Sequence, residues 1–315
     1  MIYAYGDDGS DERKKRVVAV SIIAGYEEWW QQLEDEWTIR CNGIPFHATD
    51  CESDKGDYKN IPHEENKATY RDLTGILAAS RVGGLGIAID LTAEKEVFPN
   101  APPIAYYKAF LHCLEHLVNV AENINEVCEV TYDIGPENEY HAASLYAWLR
   151  ENDDRFCRLM HPKISFAPWR ESARLQAADL LAFEAWKALD HTVGPIRRER
   201  KSWDLLKATN RFEAIAYGKE WFEGLKNDLP ELEKRVGFNE SDYLQWLGQQ
   251  DFKHNMSNLI SFIRSRNNEF QKFDHVATEI LKMPHAEIKA KLDAEKKEKT
   301  QRKKEKTDAI KGKMD

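Results

Sequence analysis

Cysteine is scarce and unpatterned. The five present (Cys41, Cys51, Cys113, Cys128 and Cys157) form no Cys-x-x-Cys pair, and an odd, sparse set argues against a disulfide framework or a structural zinc cluster. No apolar run approaches the roughly 18–20 residues that a membrane span requires. The opening Met1-Ile2-Tyr3-Ala4-Tyr5-Gly6-Asp7-Asp8 meets acid where a secretory signal has its apolar region. These absences set the expectation of a soluble, cytoplasmic protein with no membrane partner. With 16 Gly and 11 Pro in 315 residues, and no internal repeat, collagen-like and low-complexity classes are excluded as well.

What is present is core material. Hydrophobic residues make up 42% of the chain, with 9 Trp, 12 Tyr and 13 Phe, too much apolar and aromatic matter for a disordered chain. The net charge of −9 conceals a split. Residues 287–315 hold ten Lys and one Arg against seven acids, or +4, which leaves −13 on the rest. A body that acidic repels phosphates over most of its surface, so any nucleic-acid contact must be local, or assisted by metal ions or by the basic tail.

Periodicity orders the chain. Residues 2–5 and 17–23 read as a β-hairpin with a long polar tip. Trp29, Trp30, Leu33 and Trp37 recur at helical spacing, as do Tyr70, Leu73 and Leu77, giving a helical insertion over about 26–80. Residues 82–91 form a third strand, and Pro102-Pro103 precedes a long helix through Tyr107, Leu111, Leu114, Val118 and Ala121. Residues 127–132 are a fourth strand broken by Gly135-Pro136, and 163–167 a fifth. Ser172 is a candidate N-cap for a helix over 175–189 that is apolar nearly all round. A hairpin followed by βαβ crossovers predicts an α/β domain over 1–194, with a mixed five-stranded sheet flanked by helices. Residues 195–250 read as a helical extension packed on that core, and 251–315 as a polar helical appendix ending in the Lys-rich tail.

Four acids stand out by position. Asp7 and Asp8 end the first strand, Asp133 ends the fourth, and Asp179 lies inside the apolar helix. Ligands gather at the carboxyl ends of parallel strands, where these acids could converge. Asp133 also suits a turn, and Asp7 and Asp8 suit a hairpin. Asp179 differs, because an unpaired carboxylate on a buried helix costs several kcal/mol and calls for a cation, a donor or a metal. Carboxylates crowded on one point repel unless divalent cations neutralise them, the arrangement that two-metal phosphoryl transfer requires.

Tyr5-Gly6-Asp7-Asp8-Gly9, Phe46-His47-Ala48-Thr49-Asp50, the strand ending in Asp133, and Leu175-Gln176-Ala177-Ala178-Asp179-Leu180-Leu181-Ala182 together resemble the family called domain of unknown function 3800. That family looks like a divergent member of the ribonuclease H-like nuclease and integrase superfamily. The resemblance covers the chain from Met1 to about Leu206. It implies a ribonuclease H-like fold and a nuclease that uses Mg²⁺ or Mn²⁺, with Asp7, Asp133 and Asp179 as metal ligands and catalytic residues. Where the family usually has Asp-Glu-Ser-Gly this chain has Asp7-Asp8-Gly9-Ser10, so Asp8 is a less secure ligand than Asp7. Glu115, on the helix after the third strand, is a candidate fourth acid. His47 and Asp50 are candidates for proton carrier and extra ligand. Gln176, on the helical face of Asp179, and the basic run Arg197, Arg198 and Arg200 are candidates for substrate binding. The implied partner is nucleic acid, and a homo-oligomer and a role in phage or mobile-element defence are further expectations.

Two other readings compete. His112-Cys113-Leu114-Glu115-His116 matches the H-x-x-E-H zinc-peptidase pattern, with Glu184 as a third ligand. Alternatively, the acidic centre is vestigial and the chain is a non-catalytic nucleic-acid or protein binding module.

Overall fold

A computed structural model describes residues 1–11, 16–100, 105–133 and 139–236. The expected appendix over 251–315, its Lys-rich tail and the Gly135-Pro136 break lie outside the described residues. The elements run β1 (Ile2–Ser10), β2 (Val17–Gly25), α1 (Glu27–Cys41), α2 (Ala48–Ser53), α3 (His63–Ala79), β3 (Gly83–Asp90), α4 (Leu91–Val97), α5 (Ala105–Ile124) and β4 (Cys128–Asp133). They continue through α6 (Glu139–Asn152), α7 (Asp154–Leu159), β5 (Ser165–Ala167), α8 (Ala173–Val193), α9 (Lys201–Lys207), β6 (Phe212–Tyr217) and α10 (Lys219–Val236).

The result is an α/β fold with a mixed sheet in the order β5-β4-β1-β2-β3-β6. β2 runs antiparallel to β1 and β3, and every other pairing is parallel. The sheet has six strands where the sequence reading gave five. Residues 195–236, expected to be helical, contain β6, which pairs with β3 from Gly84–Phe212 to Ile89–Tyr217. β1 is also longer than expected and reaches Ser10, so Asp7 and Asp8 lie within the strand rather than at its end.

Pleating sorts the two faces. Ile2, Ala4, Val18, Val20, Ile22, Leu85, Ile87 and Ile89 point into one core with α5 and with apolar residues of α6, α7 and α10. The alternate residues face α8, which crosses β1, β2 and β3. That crossing is close. Ser21 Oγ donates to the carbonyl of Ala178 at 2.8 Å, and a Cβ placed on Gly86 would fall 2.5 Å from the Ala185 methyl carbon. β2 is buried on both sides for this reason, which explains its nearly unbroken apolar sequence. Ser172 caps α8 by accepting from the Leu175 N–H. α1, α2 and α9 pack around α8, with α3 against α1, α2 and α9, so the helices of the insertion stand beside the helix that carries Asp179.

Candidate functional site

β1 and β4 are parallel and in register through Gly6–Tyr132. One residue further, Asp7 and Asp133 stand level on neighbouring strands, and the pleat turns both side chains to the α8 face. Asp179 meets them from α8. Each carboxylate is braced by a backbone N–H from a different segment. Asp7 Oδ1 accepts from Asp8 at 2.7 Å, Asp133 Oδ1 from Trp169 at 2.8 Å, and Asp179 Oδ2 from Ala48 at 2.6 Å.

The electrostatics join these acids into one group. Burial first, and then the fields of Asp179, Asp8 and Asp133, hold the Asp7 carboxyl well above the usual carboxylate range. Burial pushes Asp179 up to about 6; His47 and the Ala48 N–H pull it down, while Asp133 and Asp50 push it up. His47 completes the rim. Its Nδ1 lies 3.2 Å from Asp50 Oδ2, and its ring stacks on Trp169 with centroids 5.0 Å apart. Trp169 was not legible as a site residue, since nothing in its spacing distinguishes it from a packing aromatic. It nonetheless both supports His47 and holds Asp133. Among the described residues, no three His, Cys, Asp or Glu side chains stand close enough to form a ready-made metal site.

The remaining candidates fall elsewhere. Asp8, adjacent to Asp7, is sent by the pleat to the opposite face, where its field acts on the hydroxyl of Tyr106 on α5. Glu115 lies on α5, also across the sheet, and is buried against Arg155 of α7 at 3.2 Å. It therefore belongs to a structural ion pair rather than to the acidic centre. Gln176 is spent on the protein: its Oε1 accepts from Trp37 Nε1 and the Phe46 N–H, and its Nε2 donates to the Trp169 carbonyl. These bonds fix the segments that carry His47 and Trp169 and occupy the Gln176 amide. Arg200 is likewise buried, gripping Glu184 at 2.6 Å and Glu52 at 2.6 Å, while Arg197 and Arg198 are exposed.

The H-x-x-E-H pattern does not assemble. His112 Nδ1 pairs with the hydroxyl of Tyr217, and burial lowers its pKa to about 3. Glu184, the imagined third ligand, lies across the sheet on α8, bonded to Arg200, Tyr70 and Ser202. Among the described residues no helix is long and apolar enough to cross a membrane.

Comparison with protein families, with curated proteins and with solved structures finds no match.

Proposed function

We propose that the chain is a divalent-metal-dependent phosphodiester hydrolase acting on nucleic acid, with Asp7, Asp133 and Asp179 holding Mg²⁺ or Mn²⁺ in a ribonuclease H-like arrangement. The observation that carries this reading is the convergence of carboxylates from β1, β4 and α8 on one face of the sheet. The mixed sheet with β2 antiparallel, and Asp7 on the first strand with Asp133 ending the fourth, support the ribonuclease H-like form of the proposal. The donor chemistry suits the ion, because hard oxygen ligands carrying excess negative charge are what Mg²⁺ and Mn²⁺ select, and the three carboxylates would have to draw closer than they stand in this structure to share one. Bound there, the ion would supply charge neutralisation for a phosphate and a more acidic water.

The chain's own residues do the rest. Backbone N–H groups of Asp8, Ala48 and Trp169 fix one oxygen of each carboxylate. His47, paired with Asp50 and stacked on Trp169, is placed to hold a proton at Nδ1 beside the carboxylates. The test is cleavage of single- and double-stranded DNA, of RNA and of hybrid with Mg²⁺ or Mn²⁺ present. Asp133→Asn and Asp179→Asn are expected to lose at least about a hundredfold in rate while keeping the circular dichroism of the parent. Full activity in both variants would sink the mechanism. Binding without cleavage of every substrate would instead leave a non-catalytic module.

A further inference from the structure

An open cleft of about 810 Å³ lies between α3 and α9, with Cys51 and Glu52 of α2 in its lining. Lys67 and Arg71 border it from one stripe of α3, Lys201 from the start of α9, and Arg198 from the segment before α9. On a chain of net charge −9, four cations on one cleft form a local reversal of sign. Their nearby acids are weak competitors. Lys67 meets Glu64 at 3.0 Å and Arg71 meets Asp72 at 3.1 Å, both in solvent-exposed pairs that exchange readily for another anion. Glu52, the carboxylate lining the cleft, is already held by the buried Arg200 at 2.6 Å, with Arg198 at 3.9 Å.

The cleft floor is of a different character. Leu205 is 43% exposed there, the Ser202 hydroxyl is taken by Glu184, and the phenol ring of Tyr70 is buried. The exposed ring on the cleft, the imidazole of His63, is tied to Asp54 at 2.7 Å, so cations outnumber free stacking surface and the cleft suits a phosphate-sugar chain rather than base readout. The volume falls in the range of small-ligand pockets, roughly 300–1,000 Å³, which admits a few nucleotide units and not a duplex.

Position ties the cleft to the acidic centre. The first residue of α2, Ala48, holds Asp179, and its last turn carries Glu52 at the cleft. At 1.5 Å per residue the two ends of this helix are roughly 9 Å apart. Along α8, Asp179 and Glu184 mark the same two places, five residues apart. A phosphate chain lying in the cleft therefore has its next phosphates within reach of the carboxylates.

We propose that the α3–α9 cleft is a tracking groove for the backbone of a single nucleic-acid strand, bound through Lys67, Arg71, Arg198 and Lys201. The inference rests on the nucleic-acid reading above for the identity of the strand, but not on cleavage. Its test is fluorescence anisotropy of a short labelled single strand with the full chain in EDTA, across a salt series. Lys67→Glu with Arg71→Glu is expected to weaken binding at least about tenfold and to make the salt slope shallower by roughly 1.4, the contribution of two phosphate contacts on a single strand. Lys95→Glu with Lys219→Glu, on α4 and α10 across the sheet, should leave affinity within about twofold once corrected for the same change in net charge. Asp179→Asn should retain binding, so loss of cleavage alone leaves the groove standing. Unchanged affinity and slope in the Lys67/Arg71 variant, or equal weakening by the control pair, would overturn the proposal whether or not the protein cleaves. So would binding of inorganic phosphate or a mononucleotide as tightly as the strand, or no strand binding at low salt.

Discussion

Asp179 has its carboxyl where the helix offers almost no solvent, so its ionisation is opposed by burial and by the Asp133 and Asp50 charges, with His47 and the Ala48 N–H as partial relief. Its pKa of about 6 sets the sign of a pH effect in the metal-free protein. Below pH about 4 the group is protonated in both folded and unfolded chains, and it carries no penalty. As pH rises from there to about 6 the unfolded chain ionises first, so stability falls across that window and the loss is complete above it. Asp179→Asn keeps an oxygen for the Ala48 N–H and removes the charge. In EDTA at pH 7.5 it should be more stable than the parent by roughly 1–3 kcal/mol, with the difference vanishing towards pH 4. Thermal melts at the two pH values check this, and a pH-independent difference would show that charge is not the cause. Asp179 was legible because a carboxylate in the run Leu175 to Ala182 has to be explained. Arg200 was not, because a run of exposed basic residues looks the same whether or not its last member turns inward.

At the scale of the element, α8 explains what the sequence hid. Glu184 is fully buried, and its oxygens receive Arg200, the Tyr70 hydroxyl at 2.5 Å and Ser202 at 2.8 Å. These partners come from α3, from the start of α9 and from the residue before it, so one ion pair clips the appended segment and the insertion onto the helix under the sheet. Replacing Arg200 by Met leaves a buried carboxylate without its cation, which should cost about 3–5 kcal/mol in urea unfolding. Glu184→Gln should cost less, since Arg200 keeps Glu52 at 2.6 Å as its counter-ion and the amide oxygen can still accept. A change below 1 kcal/mol for Arg200→Met would mean that water reaches Glu184 and that the clip is weak. The strand order beyond β3 was illegible for a related reason. Phe212-Glu213-Ala214-Ile215-Ala216-Tyr217 is short, polar at its second place and flanked by helical spacing, and it becomes a strand by pairing with β3, more than a hundred residues earlier. Local periodicity carries no trace of such a partner, whereas the β1–β2 hairpin is local and could be read directly.

Over the whole molecule, an acidic chain collects divalent cations loosely everywhere, so a metal effect is diagnostic only if it follows particular carboxylates. The pleat of β1 supplies the discriminating pair. Asp7, opposite Ser21, faces α8 with Asp133 and Asp179, whereas its neighbour Asp8, opposite Val20, faces α5 across the sheet. Both substitutions to Asn remove one ionisable carboxyl from nearly the same place, so a diffuse effect would treat them alike. A bound ion would not. At constant ionic strength, Mn²⁺ at about a hundred times its dissociation constant should stabilise the parent by about 2.7 kcal/mol, a rise of several degrees in Tm. Asp7→Asn, Asp133→Asn and Asp179→Asn should each lose most of that rise. Asp8→Asn should retain it, and so should His112→Ala with His116→Ala, whose helix lies on the far side of the sheet. Differential scanning calorimetry with Mn²⁺ and with Mg²⁺ reads all of these. Equal responses from Asp7→Asn and Asp8→Asn would place the ion outside the α8 face, and the assignment of the three aspartates as its ligands would fall with it.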